Sequence, residues 1–219
     1  HNMDEIERLG VKIGDTVILE KAGDIIPKII KTLPKLRTGK ERTIHSPERC
    51  PACNAEVERR QDEVAITCRN PKCPAKHHER IVHLVSKAAF NIDGLGDRIV
   101  KQLMDAGLIA TPADIFRLTA EELVDLERFG EKSAENLIRS IHQARSIEFA
   151  RFIYALGITH VGEETAIDLA DYFGTLAGLR RATRDEFLAV PNIGEVVADA
   201  LAAYLADPHS QKMIDDMLA

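Results

Sequence analysis

The chain has 219 residues, a formal net charge of −6, 45% hydrophobic residues and 29% charged residues, a balance typical of one or two soluble globular domains. No apolar run approaches the ~20 residues of a membrane-spanning helix, and the N-terminus lacks the pattern of a signal peptide. The sequence therefore predicts a cytoplasmic protein without membrane association.

The charge is unevenly distributed along the chain. Residues 27–87 contain 14 Lys and Arg against 7 Asp and Glu, a local balance of +7, so the remainder stands at −13. A basic block between acidic flanks indicates a polyanionic partner, with an uneven solvated surface as the alternative. In the acidic second half, any contact with a nucleic acid must depend on positioned backbone amides and a few arginines.

Residues 1–33 are predicted to form short β-strands separated by tight turns. An apolar run from Val11 to Leu19 surrounds the Gly14-Asp15 turn, and a second apolar segment follows Gly23-Asp24. Two or three such strands suit the C-terminal part of an OB-type barrel, which needs five strands, so the remaining strands are expected upstream. An ordinary hairpin packed on the next module is the alternative.

Residues 34–78 are predicted to form a zinc finger preceded by a basic linker. All four cysteines of the chain lie here with C-x2-C and C-x4-C spacing, separated by fourteen residues: Cys50, Cys53, Cys68 and Cys73. Two such pairs complete a tetrahedral thiolate set, which leaves no open position and so predicts a structural zinc. A segment this short has no hydrophobic core of its own, and a metal would stabilise it. Two disulfides are the alternative, which a cytosolic location disfavours.

Two further predictions concern the surroundings of the cysteines. The segment between the two pairs, Glu56 to Thr67, alternates in a way that predicts a small hairpin. His77 and His78 could replace cysteine ligands, but four cysteines suffice, so a solvent-facing basic pair is predicted instead.

Residues 79–219 contain a short pattern that occurs four times. Each copy has a glycine followed by an acid: Gly96-Asp97, Gly130-Glu131, Gly162-Glu163 and Gly194-Glu195. The copies are spaced by 34, 32 and 32 residues, with an apolar residue before each glycine and an apolar stripe at helical spacing after it. A fixed period of this kind indicates a repeated unit, here helix, tight hairpin, helix. The predicted fold is therefore mainly α, with a tandem helix-hairpin-helix domain.

The hairpins are the predicted contacts with nucleic acid. The first N–H groups of a helix have no partner within the helix and, with the helix dipole, attract an anion such as a backbone phosphate. The predicted contact residues are Gly94, Leu95, Gly96, Phe129, Gly130, His160, Val161, Gly162, Asn192, Ile193 and Gly194. The alternative is a protein-interaction solenoid whose glycines only cap helices. Arg128 tolerates a left-handed backbone poorly, so the second hairpin is expected to contribute least.

Local signals give bounds for several helices. A helix is predicted from Glu79 to Ala89, and Gly107 is expected to end the helix that follows the first hairpin. Capping boxes that begin at Thr119 and at Thr183 predict two further helix starts.

In this order, the parts resemble the C-terminal half of bacterial NAD-dependent DNA ligases. The matching motifs are His1-Asn2, Ile13-Gly14-Asp15-Thr16-Val17, Ala22-Gly23-Asp24-Ile25-Ile26-Pro27, Cys50-Pro51-x-Cys53, Phe129-Gly130-Glu131-Lys132-Ser133-Ala134 and Tyr154-Ala155-Leu156-Gly157-Ile158. Together they span essentially the whole chain. The resemblance implies the DNA-binding part of an enzyme that seals nicks in duplex DNA during replication and repair.

The resemblance also implies what this chain does not do alone. The family transfers adenylate from NAD to a lysine in a Lys-x-Asp-Gly motif and then, with Mg²⁺, to the DNA 5′-phosphate. The nearest match here, residues 91–94, has Asn91 in place of the lysine. The chain is therefore expected to contain no catalytic or NAD-binding residue and to be inactive alone. Its expected partners are nicked double-stranded DNA and the adenylation domain of the same protein, acting as a monomer.

Two other functions remain open from the sequence. A repair nuclease could contain such hairpins in a separate DNA-binding module, although the barrel segment and the finger disfavour it. A helical protein-interaction scaffold is supported only by the acidic balance of the second half.

Overall fold

The computed structural model describes residues 2–22, 26–59 and 64–218. It divides into two compact units, His1–Pro74 and Ala75–Ala219. The fold is mainly α, and short strands are confined to the first unit, as the sequence predicts. The predicted Gly23-Asp24 turn lies outside the described residues. Within those residues, no helix is both long and apolar enough to span a bilayer.

The first unit begins with a helix that the sequence analysis did not predict. Helix α1 (Met3–Leu9) starts after Asn2, whose side chain accepts from the Glu5 N–H, and ends at Gly10 with a φ of 60°. The strands that follow are β1 (Lys12–Ile13), β2 (Val17–Ala22), β3 (Ile26–Thr32) and β4 (Arg42–Thr43). Strand β2 pairs with β3, and β1 pairs with β4, both antiparallel. The pairing of β1 with β4 joins residues 42–43, which lie in the predicted linker, to a strand of residues 1–33.

These strands leave many large apolar side chains exposed. Ile18, Leu19, Ile26 and Ile30 on β2 and β3 range from 42% to 69% exposed. The segment is instead fixed by a polar contact at the Gly14-Asp15 turn, where Arg37 donates twice to the carboxylate of Asp15 at 2.6 and 2.7 Å. The Asp15 side chain is only 1% exposed, so this pair is shielded from water on the carboxylate side.

The finger contains the predicted hairpin between its cysteine pairs. Strands β5 (Val57–Arg59) and β6 (Ile66–Cys68) are antiparallel, with Val57 opposite Cys68. Arg59 forms a two-pronged ion pair with Asp4 of α1, at 2.6 and 2.7 Å. Apart from two cysteines, no hydrophobic residue in the described part of the first unit is buried. An apolar core therefore does not account for the order of the finger.

The second unit consists of helices joined by short turns. After α2 (Pro74–Val85) they are α3 (Asp97–Asp105), α4 (Ala120–Val124), α5 (Glu131–Ala144), α6 (Phe149–Ala155), α7 (Glu163–Phe173), α8 (Leu176–Arg181), α9 (Arg184–Leu188), α10 (Glu195–Ala206) and α11 (Pro208–Leu218). A short 3-10 helix covers Pro112–Arg117. Gly107, with a φ of 72°, ends α3 as predicted. The capping boxes at Thr119 and Thr183 are both formed, and a third begins at Thr111.

One continuous apolar core holds these helices together. It includes fully buried side chains from all ten helices α2 to α11, among them Leu84, Leu103, Ile141, Leu169 and Leu201. The short helix before each of the last three hairpins packs on the helix after it: α4 on α5, α6 on α7 and α9 on α10. The repeats predicted from the glycine spacing are thus helix pairs that share a core.

Two predictions for the start of this unit need correction. The helix predicted from Glu79 to Ala89 begins at Pro74, because proline suits the first turn of a helix, and it ends at Val85. The predicted solvent-facing pair is wrong for His78, whose side chain is only 18% exposed. Its Nε2 lies 3.5 Å from Asp97 Oδ1 and 3.3 Å from the Asp97 carbonyl, so it joins α2 to the start of α3.

Candidate metal centre and nucleic-acid interface

The four cysteines form a cluster of the size that a metal ion requires. All four Sγ atoms lie within 4.8 Å of one another, and the four cysteines are free. Cys50 and Cys73 are 3.8 Å apart at sulfur, and Cys53 and Cys68 are 3.5 Å apart. A tetrahedron with Zn–S bonds of ~2.3 Å has S–S edges of ~3.8 Å, whereas a disulfide bond measures ~2 Å. The residues therefore fit a four-thiolate zinc and not two disulfides.

Local backbone geometry positions each pair of sulfurs. In the first pair, the Cys50 N–H donates to the Ala55 carbonyl and the Asn54 N–H donates back to the Cys50 carbonyl, both at 2.8 Å, with Asn54 at a φ of 56°. In the second pair, the Asn70 N–H points at the Cys68 sulfur at 3.4 Å. Cys73 immediately precedes α2. Two tight turns and a helix start thus bring four thiols to one point.

The environment of the thiols favours a thiolate at some positions and opposes it at others. The backbone N–H of Ala55 lowers the pKa of Cys53 to about 6. Desolvation raises the pKa of Cys68 to about 12, although the N–H of Asn70 opposes this shift. Four neighbouring thiols cannot all ionise by themselves, because the charges repel. A divalent cation removes that repulsion, so this set of donors suits zinc.

The four hairpins share one backbone turn. In each, the apolar residue before the anchor glycine donates its N–H to the carbonyl three residues earlier: Leu95 to Ile92, Phe129 to Leu126, Val161 to Ile158 and Ile193 to Val190, at 3.0 to 3.3 Å. The third residue of every turn has positive φ: Gly94 at 85°, Arg128 at 67°, His160 at 67° and Asn192 at 63°. A β-turn with positive φ at its third residue is of the type II kind, which favours glycine or asparagine there.

This common turn corrects the expectation for the second hairpin. Arg128 was expected to compromise the turn, yet it adopts the same left-handed backbone as Gly94 and Asn192. The turn hydrogen bond and the packing of the following helix impose this conformation, although any residue with a Cβ is strained in the left-handed region. The second hairpin therefore differs from the others in something other than its backbone path.

The anchor glycines cap the helices from an extended conformation. Gly96, Gly130, Gly162 and Gly194 are the N-caps of α3, α5, α7 and α10, with φ between −88° and −131° and ψ within 11° of ±180°. Any residue can adopt this backbone. A Cβ at any of the four would meet nothing within 4 Å. A side chain at these positions would therefore not strain the turn, and the glycines leave open space in front of the helix ends.

The amide at the second anchor glycine is already occupied. The Gly130 N–H donates to Ser133 Oγ at 2.8 Å, and that hydroxyl donates to the Gly130 carbonyl at 2.8 Å. The N–H groups of Gly96, Gly162 and Gly194 have no hydrogen-bond partner among the described residues. Residues Ile99, Thr165 and Val197 stand where Ser133 stands in the second repeat. Ser133 was missed as a site residue, although a serine at the third helical position is a readable capping signal.

The side chains of the predicted contacts divide into two groups. Leu95, Val161 and Ile193 are buried, and Phe129 is half-buried, so these side chains hold the hairpins on the core and only their backbone faces outward. Gly94, His160 and Asn192 are exposed beside the anchor glycines. The Asn192 amide donates to Asp168 at 3.2 Å. Which of these residues contact a ligand stays a prediction.

Fold and sites together define the class of the protein. The chain is a tandem helix-hairpin-helix protein that has a four-cysteine finger and a short β-segment before the helices. Family models match each part: an NAD-dependent DNA ligase OB-fold domain over residues 1–41, an NAD-dependent DNA ligase C4 zinc finger domain over 49–75, a SAM-like helix-hairpin-helix tandem over 87–143, and a helix-hairpin-helix motif over 151–214.

Curated relatives give the same result over the full length of the chain. It is 43% identical over 219 residues, all of this chain, to a DNA ligase of Anoxybacillus flavithermus, and it covers 33% of that protein. It is 44% identical over 217 residues to a DNA ligase of Halalkalibacterium halodurans, covering 99% of this chain and 32% of the relative. The chain thus spans about a third of the length of these relatives. Over its whole length the chain is therefore similar to one part of these DNA ligases, and its segments match OB-fold, C4 zinc-finger and helix-hairpin-helix models.

Proposed function

We propose that this chain is the part of an NAD-dependent DNA ligase that holds nicked duplex DNA while another part of the protein transfers adenylate. The observation that supports this most directly is the fourfold repetition of one turn with an extended, exposed N-cap glycine. At three of the four turns the glycine N–H has no partner among the described residues. Such groups bind phosphate without reading the base sequence, which is what an enzyme that seals nicks anywhere requires.

The finger has a structural role in this proposal. Cys50, Cys53, Cys68 and Cys73 would hold one zinc ion, which stabilises a segment whose described residues bury no hydrophobic side chain other than cysteine. The set is closed, so the ion supplies no coordination position for a substrate. The exposed apolar side chains of β2 and β3 would be covered by the remainder of the barrel in the complete protein.

The chemical step is assigned to residues outside this sequence. The chain has no Lys-x-Asp-Gly segment, and Asn91-Ile92-Asp93-Gly94 belongs to the first hairpin. We therefore propose that NAD and Mg²⁺ act with the adenylation domain, and that the chain itself contributes binding and orientation. A cytoplasmic, monomeric enzyme is part of the same proposal.

A binding titration tests this function. Fluorescently labelled duplexes of two unrelated sequences, each intact and nicked, are titrated with the chain at several salt concentrations. We expect similar affinity for the two sequences and a linear fall of log K with log salt concentration. An absence of binding to every duplex at low salt would overturn the proposal and favour a protein-interaction scaffold.

A further inference from the structure

A surface groove lies between the first and second hairpins. Its volume is about 700 Å³, and it opens to solvent. One wall consists of the first hairpin and the first turn of α3, with Arg98; the other consists of the second hairpin, with Arg128, and one face of α5, with Arg139. Three guanidinium groups thus border one groove in the half of the molecule whose overall balance is acidic.

The three arginines are poorly compensated by acids. Arg98 forms no ion pair among the described residues, and Arg139 hydrogen-bonds only the neutral side chain of Asn136, at 3.2 Å. Arg128 lies 3.4 Å from Glu127, but both side chains are more than 70% exposed, so that pair contributes little. Asp93 is the one acid in the groove lining that the structure describes. The groove therefore has excess positive charge.

The rest of the lining suits a sugar–phosphate strand. Asn136, Arg139, Ser140 and Gln143 are spaced i, i+3, i+4 and i+7 along α5, so they form one polar face of that helix. Apolar side chains also line the groove, among them Ile99 and Leu137. Guanidinium groups bind phosphate oxygens with two parallel hydrogen bonds, and an apolar surface accommodates deoxyribose.

The other two hairpins lack this chemistry. The second residue after the anchor glycine is Arg98 in the first repeat and Lys132 in the second, but Glu164 in the third and Val196 in the fourth. Cations thus follow only the first two glycines. The third and fourth hairpins offer backbone amides without a positive side chain at that position.

We propose that the groove between the first two hairpins binds a phosphodiester of the nucleic-acid backbone through Arg98 and Arg139. This inference rests on the proposed DNA-binding function. It assigns different contributions to the affinity for DNA to the first and the second pair of hairpins. The first pair of hairpins supplies the part of the affinity that depends on salt. The third and fourth hairpins bind phosphate through amides and depend less on salt.

Single-arginine variants of the chain test this division. Arg98→Ala and Arg139→Ala are compared with Arg181→Ala, which removes an exposed arginine of α8 whose Nε donates to the Ala177 carbonyl in its own helix. On nicked duplex, each groove variant should lower the slope of log K against log salt by about 1 and weaken binding about tenfold at low salt. The Arg181 variant should change affinity less than twofold. Circular dichroism confirms that each variant is folded.

The possible results separate this proposal from the broader one. Wild-type slope and affinity in both groove variants, with weakened binding in Gly162→Ala, would overturn the groove and leave the DNA-binding function standing. No binding by the wild-type chain would overturn both. Displacement of DNA by polyglutamate at the same charge concentration as competing DNA would show a general anion surface and would also refute a phosphodiester site.

Discussion

Replacing Gly162 by alanine tests the hairpin amides with little disturbance of the fold. The residue has a φ of −89° and a ψ of −178°, an extended backbone that alanine adopts without strain. A Cβ there meets nothing within 4 Å, so no neighbour has to move. The new methyl group occupies only the space in front of α7. If a phosphate approaches that helix end, the methyl group holds it away.

The expected magnitude follows from the bonds that would be lost. A hydrogen bond to a charged group contributes about 1.5–3 kcal/mol, so loss of one amide–phosphate bond corresponds to roughly 10- to 100-fold weaker binding. Gly194→Ala should behave in the same way, because its backbone matches that of Gly162. Gly130→Ala should weaken binding less, because the Gly130 N–H already donates to Ser133.

A serine at the same position separates a binding effect from an effect on stability. Glycine is a better N-cap than alanine, so Gly162→Ala should destabilise α7 by up to about 1 kcal/mol. Serine is the better cap, so Gly162→Ser should raise thermal stability while it obstructs the phosphate equally. Binding is measured by fluorescence anisotropy on nicked duplex and stability by thermal melting. Unchanged affinity in folded Gly162 and Gly194 variants would refute the amide mechanism.

Three further predictions concern the metal, the chemistry and pH. Metal analysis should find one zinc per chain, and a chain without zinc would contradict the prediction. Cys68→Ser should release the zinc but retain the helical circular dichroism signal, because the second unit has its own core. Incubation with radiolabelled NAD should leave the chain unlabelled, and a covalent label would refute the absence of the adenylation site. Arg37 lowers the pKa of Asp15 to about 2 from its ordinary 3.8, so this pair stabilises the first unit above pH ~4 and the stabilisation is lost as pH falls from ~4 to ~2. NMR titration should give the Asp15 carboxyl a pKa of about 2 in the wild-type chain and an ordinary pKa in Arg37→Ala. An ordinary pKa of Asp15 in the wild-type chain would contradict this pairing.

The repeats and the cysteine cluster were accessible from sequence because their signals are local and periodic. A glycine-acid pair every 32 to 34 residues fixes where each helix starts, and α3, α5, α7 and α10 all begin at the predicted acid. Paired cysteines at metal-ligand spacing fix which sulfurs meet. In both cases, the physical requirement is satisfied within a few residues of chain.

What the sequence did not reveal depends on contacts between distant residues. The partner of His78 is Asp97, nineteen residues away. The local sequence around His77 and His78 does not indicate this contact. The left-handed backbone of Arg128 contradicts its intrinsic preference and is imposed by the turn and by helix packing. The groove bordered by Arg98 and Arg139 joins two repeats, and no single repeat contains it.

The third residue of the hairpin turn can vary without affecting the rest of the turn. Glycine, arginine, histidine and asparagine occupy it in the four repeats, with φ values between 63° and 85°. A non-glycine residue there costs of order 1–3 kcal/mol, which the shared core of the second unit can absorb. Each repeat can therefore exchange its outward-facing side chain by a single substitution while the backbone N–H groups of the hairpin keep their orientation. A duplicated hairpin could in this way evolve a different affinity independently of its three neighbours.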